Sequence, residues 1–422
     1  MKMRMNITVA ILVVCNSMLT VQAETWPTFR GPDRTAVAPD SELMSVWPEN
    51  GPQLLWKSSG IGNGYSSLAI VEDQIFTMGD HLPDSDGDEY LICLSRTNGE
   101  IVWKLKTGEP FQQRNEKWES PRSTPTVDDD RVYVLSPAGR MVCASTAGEQ
   151  LWEKNLPDDF QGKKADGWGY SESVLIDGDK LICTPGGPAN TMTALDKLTG
   201  ETIWTTSRGG DRGAGHASTV ISQVGDTKIY VTSTGSGPIG VRASDGKLLW
   251  TYDISRTTAV IPTPIVRDDL VFFTAGYDKG GALLRQSPGE NGQVTIEEIY
   301  PINSELKSKH GGVVLLGDYL YAGRDSSPII FCAELMTGDI AWESRGAGSG
   351  SASVVAADGH IYFRFESGEM MLVEANPKRV VEKGHFVVPG SGSRPSWSHP
   401  VILEGMLYLR EGNDLLCYQL RE

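Results

Sequence analysis

Six tryptophans recur along this chain at a nearly constant interval. Trp56, Trp103, Trp152, Trp204, Trp250 and Trp342 stand 47, 49, 52, 46 and 92 residues apart, the last gap spanning two periods. Five of them close the same short phrase, with a glycine four positions earlier: TNGEIVW at 97–103, TAGEQLW at 146–152, LTGETIW at 198–204, SDGKLLW at 244–250 and MTGDIAW at 336–342. A fixed period near 47 means one supersecondary unit repeated, and such a unit buries its apolar face only by stacking on its neighbours. The 422 residues therefore read as one array and not as several domains.

Each unit divides into four short strands. The first two form a hairpin around an acidic or glycine turn, as in STPTVDDDRVY at 123–133 and ESVLIDGDKLI at 172–182, and eight such hairpins can be counted. No stretch carries a sustained helical period. Seven fourth strands lie inside the array, two of them (294–300 and 380–386) lacking tryptophan, while the eighth unit runs into the C-terminus without one. The missing strand stands at the other end, around Leu54, Leu55 and Trp56. Pairing it with the last unit closes a ring and removes an exposed sheet edge. The expected fold is all-β: a single eight-bladed propeller of four-stranded antiparallel blades over 53–422, preceded by an extended segment at 24–52 that either plugs the ring or wraps its rim.

The eleven residues Ala194-Leu195-Asp196-Lys197-Leu198-Thr199-Gly200-Glu201-Thr202-Ile203-Trp204 name the kind of propeller. They resemble the A-x-D-x-x-T-G-x-x-x-W tryptophan-docking repeat of the pyrroloquinoline-quinone (PQQ)-like propellers, and WPTFRGP at 26–32 resembles the start of a bacterial exported branch of that family. Physically, the glycine supplies a positive φ in the turn, and the indole four residues on can then lie flat on the next blade. The family contains quinoprotein dehydrogenases as well as the BamB-type propeller of the outer-membrane barrel-assembly machinery. The dehydrogenases imply two adjacent bridged cysteines beneath the cofactor, a Glu/Asn/Asp calcium set and a long insertion over the substrate. No two cysteines are adjacent here. The expectation is a non-catalytic scaffold with no cofactor, the alternative being an oxidoreductase that either uses PQQ with calcium or is a divergent channel-site enzyme built on Arg122, His216, His310 and His399.

Residues 1–23 read as a cleavable leader: Lys2 and Arg4, an apolar run at 7–14, and Val21-Gln22-Ala23 before the cut. The apolar run is too short to span a bilayer, so the chain is expected to be periplasmic or secreted, monomeric and not an integral membrane protein. Its net charge of −16 disfavours nucleic acid and anionic membrane surfaces as partners. Five cysteines lie beyond the leader (Cys93, Cys143, Cys183, Cys332 and Cys417), without metal-site spacing, four of them at equivalent points of apolar strands; they read as small buried hydrophobes. The glycine-rich run at 210–215 mimics a phosphate loop only in spelling, since no βαβ unit surrounds it.

The first strands of a propeller surround its channel, and counting back from the end of each second strand aligns their beginnings. Nine positions back stand Ser67, Thr124, Ser173, Thr263, Gly312, Ser353 and His399, and Ser218 joins them once the extra residues of its longer hairpin are allowed for. Eleven back stand Tyr65, Arg122, Ser171, Ile261, His310, Ser351 and Trp397, with His216 as the shifted member in the longer hairpin, and strand alternation places both columns on one face. Glu172 falls between the columns and faces the channel only if a bulge turns it. The hydroxyls either bond backbone groups between blades or leave an open polar channel. His216, His310 and His399, in alternate blades, are either hydrogen-bonded channel residues or, in a narrow channel, ligands of one metal. Trp168 reads as a loop anchor. The candidate ligand-binding set is thus Tyr65, Arg122, Glu172, His216, His310, Trp397 and His399, facing a protein or glycan partner.

Overall fold

Two-residue hairpins build the innermost layer. A computed structural model describes residues 25–83, 85–111, 118 and 120–421, so the expected leader lies outside the described residues. In all eight inner hairpins the first turn residue has positive φ: Glu72, Asp129, Gly178, Gly225, Asp268, Gly317, Asp358 and Glu404. Such turns match the twist of the strands they join. Each hairpin opens a four-stranded antiparallel sheet in simple up-and-down order, giving eight sheets. Blades 1 to 7 are 69–108, 126–155, 175–206, 220–251, 265–303, 313–345 and 352–387, and blade 8 is 401–419 completed by the strand Gln53–Ser59. That strand pairs antiparallel with Asp414–Gln419, Trp56 facing Cys417, so the ring closes through the first and last strands of the described chain. Among the described residues the only α-helix is the five-residue Leu156–Phe160, and no helix is long and apolar enough to cross a membrane.

A β-bulge recurs next to the aromatic residue of most outer strands. In blade 1 the register shifts between Cys93 and Leu94, leaving Val102 as the extra residue beside Trp103; Leu55, Leu151 and Ile203 occupy the same place in blades 8, 2 and 3. The bulge accounts for the exposure of these apolar side chains, since it turns the tryptophan inward at the expense of its neighbour. Opposite the indoles stand Cys417, Cys93, Cys143, Ala194, Gly240 and Cys332. Only a small side chain leaves room for an indole there, which explains four of the five cysteines.

Each ring then lies on the following blade. A Cβ placed on Gly99, Gly148, Gly200 or Gly246 would meet Trp56, Trp103, Trp152 or Trp204 at 2.7, 2.8, 3.0 and 2.5 Å. Trp103, Trp152 and Trp342 donate their indole N–H to Thr146 O, Lys197 O and Asn376 O of the next blade at 3.0, 3.1 and 2.8 Å, and Trp250 donates to the Gln286 side chain at 3.1 Å. Where tryptophan is missing another aromatic takes over: Tyr300 lies against Gly338, and Phe386 against Gly51 and Tyr418. Aliphatic side chains from facing sheets fill the wedges behind these contacts, as Val231, Val271 and Leu284 do between blades 4 and 5.

Residues 25–52 plug the ring. Trp26 exchanges backbone hydrogen bonds with Ile70 of blade 1, Pro27 O accepts from Val127 of blade 2, and Ala36 and Ala38 pair with Ala356 of blade 7. Arg34 reaches across to donate to Ser173 O and Thr219 O at 2.8 and 3.0 Å, and Arg30 donates to Val313 O of blade 6. The backbone pairings at Ile70, Val127 and Ala356 are toward the far ends of their first strands, whereas the two arginines reach back to the starts of the others, so the segment closes the channel from the far end. It then runs outward, Met44 N–H bonding Leu420 O and Trp47 N–H bonding Lys383 O, before entering the last blade.

All five cysteines among the described residues are buried and unbridged, and burial lifts the Cys93 and Cys417 thiols to about 12. Native protein at pH 8 should therefore leave these thiols unreacted with a disulfide titrant, and guanidinium should release all of them. A fast-reacting thiol in the native state would contradict the packing described.

Candidate functional site

With its far end closed, the channel becomes a cavity of about 450 Å³ that opens on the side where the first strands begin. Of the eleven-back column, Tyr65, Arg122, Ser171, His216, Ile261, His310 and Trp397 line it; Ser351 does not. Of the nine-back column, Ser173, Ser218, Thr263, Gly312 and His399 do. The hydroxyls form a belt between blades. Thr124 Oγ1 accepts the Ser67 N–H at 3.1 Å, Ser173 Oγ that of Thr124 at 2.9 Å, and Ser218 Oγ that of Ser173 at 3.0 Å. Their first task is thus to satisfy backbone donors where adjoining strands splay apart.

Aromatic rings form much of the wall. Tyr65 packs on Trp397 with centroids 4.8 Å apart, Trp397 on His310 at 4.3 Å, and Trp118 edge-on against Trp168 at 5.3 Å. The Arg122 guanidinium lies 5.7 Å from the Tyr65 centroid and donates to Trp168 O at 2.9 Å, which fixes one wall to the next. Trp168, expected as a loop anchor, is therefore also part of the cavity wall.

Two crossing loops position His216. Ala214 N–H bonds Lys163 O and Ala165 N–H bonds Ala214 O, so the glycine-rich run braces the loop carrying Asp166. His216 Nε2 then lies 2.9 Å from Asp166 Oδ2, and Nδ1 2.6 Å from Ser171 Oγ. Burial, followed by the charge of Lys164, lowers the His216 pKa to about 4. Burial would raise Asp166, but the bond and charge of His216, the Lys164 charge and the Trp168 N–H together outweigh it and hold the carboxyl at about 2. A neutral imidazole thus donates to a carboxylate and accepts from a hydroxyl. His310 Nδ1 lies 3.3 Å from Glu366 Oε1, and burial lowers its pKa also. His399 Nε2 lies 3.0 Å from His310 O, and burial, then the Arg30 charge, takes its pKa down to about 3.

Glu172 does not line the cavity. Ser171 and Ser173 on either side of it do, so alternation turns its carboxylate into blade 3, where Thr184 N–H donates to it at 2.9 Å. No bulge reverses it. Counting within repeats also missed Phe29 and Arg30, which enter from the plug, and Tyr277, Lys309 and Glu366, which come from loops between strands and blades. The WPTFRGP phrase was the one available signal for the first two.

The three histidines do not converge on a metal: each has its own partner, and among the described residues no group of three or more His, Cys, Asp or Glu is placed to hold one. A quinone with calcium fits no better. Glu366 is the only carboxylate in the described cavity wall, it is bonded to His310, and the cysteines sit inside the blades.

Fold and cavity together define a PQQ-like eight-bladed propeller whose channel is closed at one end. The chain belongs to the family described as outer membrane protein assembly factor BamB, whose model matches residues 87–344. Among solved structures it is similar to BamB from Moraxella catarrhalis, with 14% identity, TM-score 0.60, and 87% of this chain and 99% of that one covered. It is also similar to quinohemoprotein alcohol dehydrogenase from Comamonas testosteroni, with 10% identity, TM-score 0.64, and 95% and 81% covered. The computationally designed Ika8 protein gives 10% identity, TM-score 0.57, and 87% and 99% covered. An assembly factor, an enzyme and a designed protein share the architecture, so at these identities the likeness speaks for fold alone. No curated protein matches the sequence.

Two outcomes follow from the buried charges. In an NMR titration, His216 and His399 should show no midpoint above pH 5; a midpoint near 6.5 for either would contradict its burial. Burial raises the Glu172 pKa to about 7, above the value for an unfolded chain, so the folded state keeps a proton that the unfolded state releases. That contribution is complete at acidic pH and is lost as pH rises through 7. Between pH 5 and pH 8 the wild type should lose roughly 1–3 kcal/mol more stability than Glu172→Gln. Equal losses in urea unfolding would rule out a protonated buried carboxyl.

Proposed function

We propose that this chain is an exported, non-catalytic binding propeller whose one-ended cavity takes the end of a glycan. The observation that carries the reading is the cavity itself. Its volume of about 450 Å³ lies within the range of roughly 300–1,000 Å³ common for small-ligand sites. Tyr65, Trp118, Trp168, Tyr277 and Trp397 supply ring faces or edges, while Arg122, Lys309, Glu366 and the belt hydroxyls supply hydrogen-bonding groups. Flat apolar faces beside fixed polar groups suit a sugar, which has C–H faces and a rim of hydroxyls. Export rests on the basic and apolar pattern of residues 1–23.

Catalysis finds little support in the same residues. Ser171, His216 and Asp166 are linked in a chain, but an imidazole with a pKa near 4 is a weak base at neutral pH. Family membership favours a second reading, in which a protein partner docks on the loop faces, as the family description of an outer-membrane assembly factor suggests.

Calorimetry against neutral, N-acetylated and carboxylated disaccharides distinguishes the two. The glycan reading expects saturable binding that weakens about tenfold, the equivalent of 1.4 kcal/mol, in Trp168→Ala with little change in melting temperature. Absence of binding across the set, together with retention of a co-purifying protein by Trp168→Ala, would leave the protein reading in its place.

A further inference from the structure

Arg30 is a buried cation at the cavity wall without an acidic partner. It is 3% exposed, and its bonds run only to carbonyls: Nε to Arg34 O at 3.3 Å, Nη2 to Thr35 O at 3.0 Å, and Nη2 to Val313 O. Its Nη1 has no hydrogen-bond partner. Most of the other deeply buried arginines have an acidic partner. Asp211 and Asp253 pair with Arg208, Glu411 pairs with Arg364 at 2.7 Å, and Asp80 acts on Arg410; Arg34 is bonded to carbonyls, with Glu172 acting on it only when that carboxyl is ionised. A buried charge left uncompensated is costly, and evolution retains such groups chiefly where something else neutralises them.

The surroundings of Arg30 are equally particular. The hydroxyl belt is interrupted at two positions, Gly312 and His399, and these are the residues beside Arg30. A Cβ on Gly312 would stand 2.5 Å from Arg30 Nη1 and 3.6 Å from His399 Cε1. Gly312 also has φ of +67°, a conformation that disfavours a side chain. His399 is held edge-on by Phe29 at 4.9 Å, and its Nε2 proton goes to His310 O. The neutral ring therefore presents Nδ1 as an acceptor, and that atom, too, is buried without a partner. One orphaned cationic donor and one orphaned acceptor thus lie side by side at the closed end. Arg122 and Lys309, the latter paired with Asp325 at 3.4 Å, also stand in the wall, where Glu366 is the one carboxylate among the described lining residues.

We propose that Arg30, Gly312 and His399 form an anion subsite at the cavity floor, which selects a sugar bearing a carboxylate or sulfate next to a hydroxyl. The inference rests on the glycan reading above and deepens it: the acid group takes the place of the missing counter-charge on Arg30, and the neighbouring hydroxyl donates to His399 Nδ1. The protein as a whole carries a net charge of −16, so the preference is local and does not arise from long-range attraction.

The test is calorimetric titration of the full-length mature chain with D-glucose, D-glucuronate and D-glucose 6-sulfate. At least one acidic sugar should bind tenfold or more tightly than glucose, and which of them does so identifies the acid group. Arg30→Gln should bring the acidic and neutral sugars within twofold of each other, while Arg30→Lys keeps part of the difference. Equal affinities in the wild type would overturn the subsite yet leave the glycan reading standing. A preference that survives Arg30→Gln would overturn it as well. If no sugar binds, neutral or acidic, both fall. The wild-type comparison decides the matter even where a variant unseats the plug and fails to fold.

Discussion

An aromatic ring from each outer strand lies on the blade that follows it, and the molecule depends on this contact at every junction. The blades are short sheets whose inner edges splay around a channel, so no single pair buries enough apolar surface to stand alone. An indole or phenyl ring covers the next blade's turn, and three of the indoles bond a carbonyl there. The bulge beside the ring and the small residue opposite it serve the same contact, because a side chain larger than cysteine at Cys143 or Cys332 would occupy the space of the indole.

The hub is governed by a different constraint. Eight strands that converge on an axis leave backbone groups and a hole in the middle, and this chain fills one end of the hole with its own N-terminal segment. Arg30 and Arg34 suit that position because a guanidinium offers five donors in a plane, enough to serve carbonyls from several blades at once. Blade 3, blade 6 and the stretch leading into blade 4 are thereby tied to one short segment. The cavity that remains has walls from the repeats and a floor from outside them.

That division also explains what the sequence disclosed. Blade number, the closing strand and the alignment of Tyr65, Arg122, His216, His310 and Trp397 around one cavity followed from the period of 47 and the two-residue alternation, because repeats constrain geometry copy by copy. Glu172 was separable from them by the same alternation. Phe29 and Arg30 were not legible as site residues, since nothing in a non-repeating segment indicates how far into a ring it reaches. Lys309 and Glu366 escaped for a related reason: the loops that carry them differ in length from blade to blade and have no common register. Asp166 became a partner of His216 only through the crossing of two loops.

The seam between Gln53–Ser59 and Asp414–Gln419 joins an early stretch of the chain to one synthesised much later. The plug and the closing strand must wait, unpartnered, until some 350 residues have followed them from the ribosome, and a topology with such distant pairings forms slowly. For most of its assembly this protein is an open arc with a bare edge at each end. Its vulnerability to misassociation is therefore set by how long that arc persists, and a chaperone that shields the early segment would act on the step that governs the yield of finished rings.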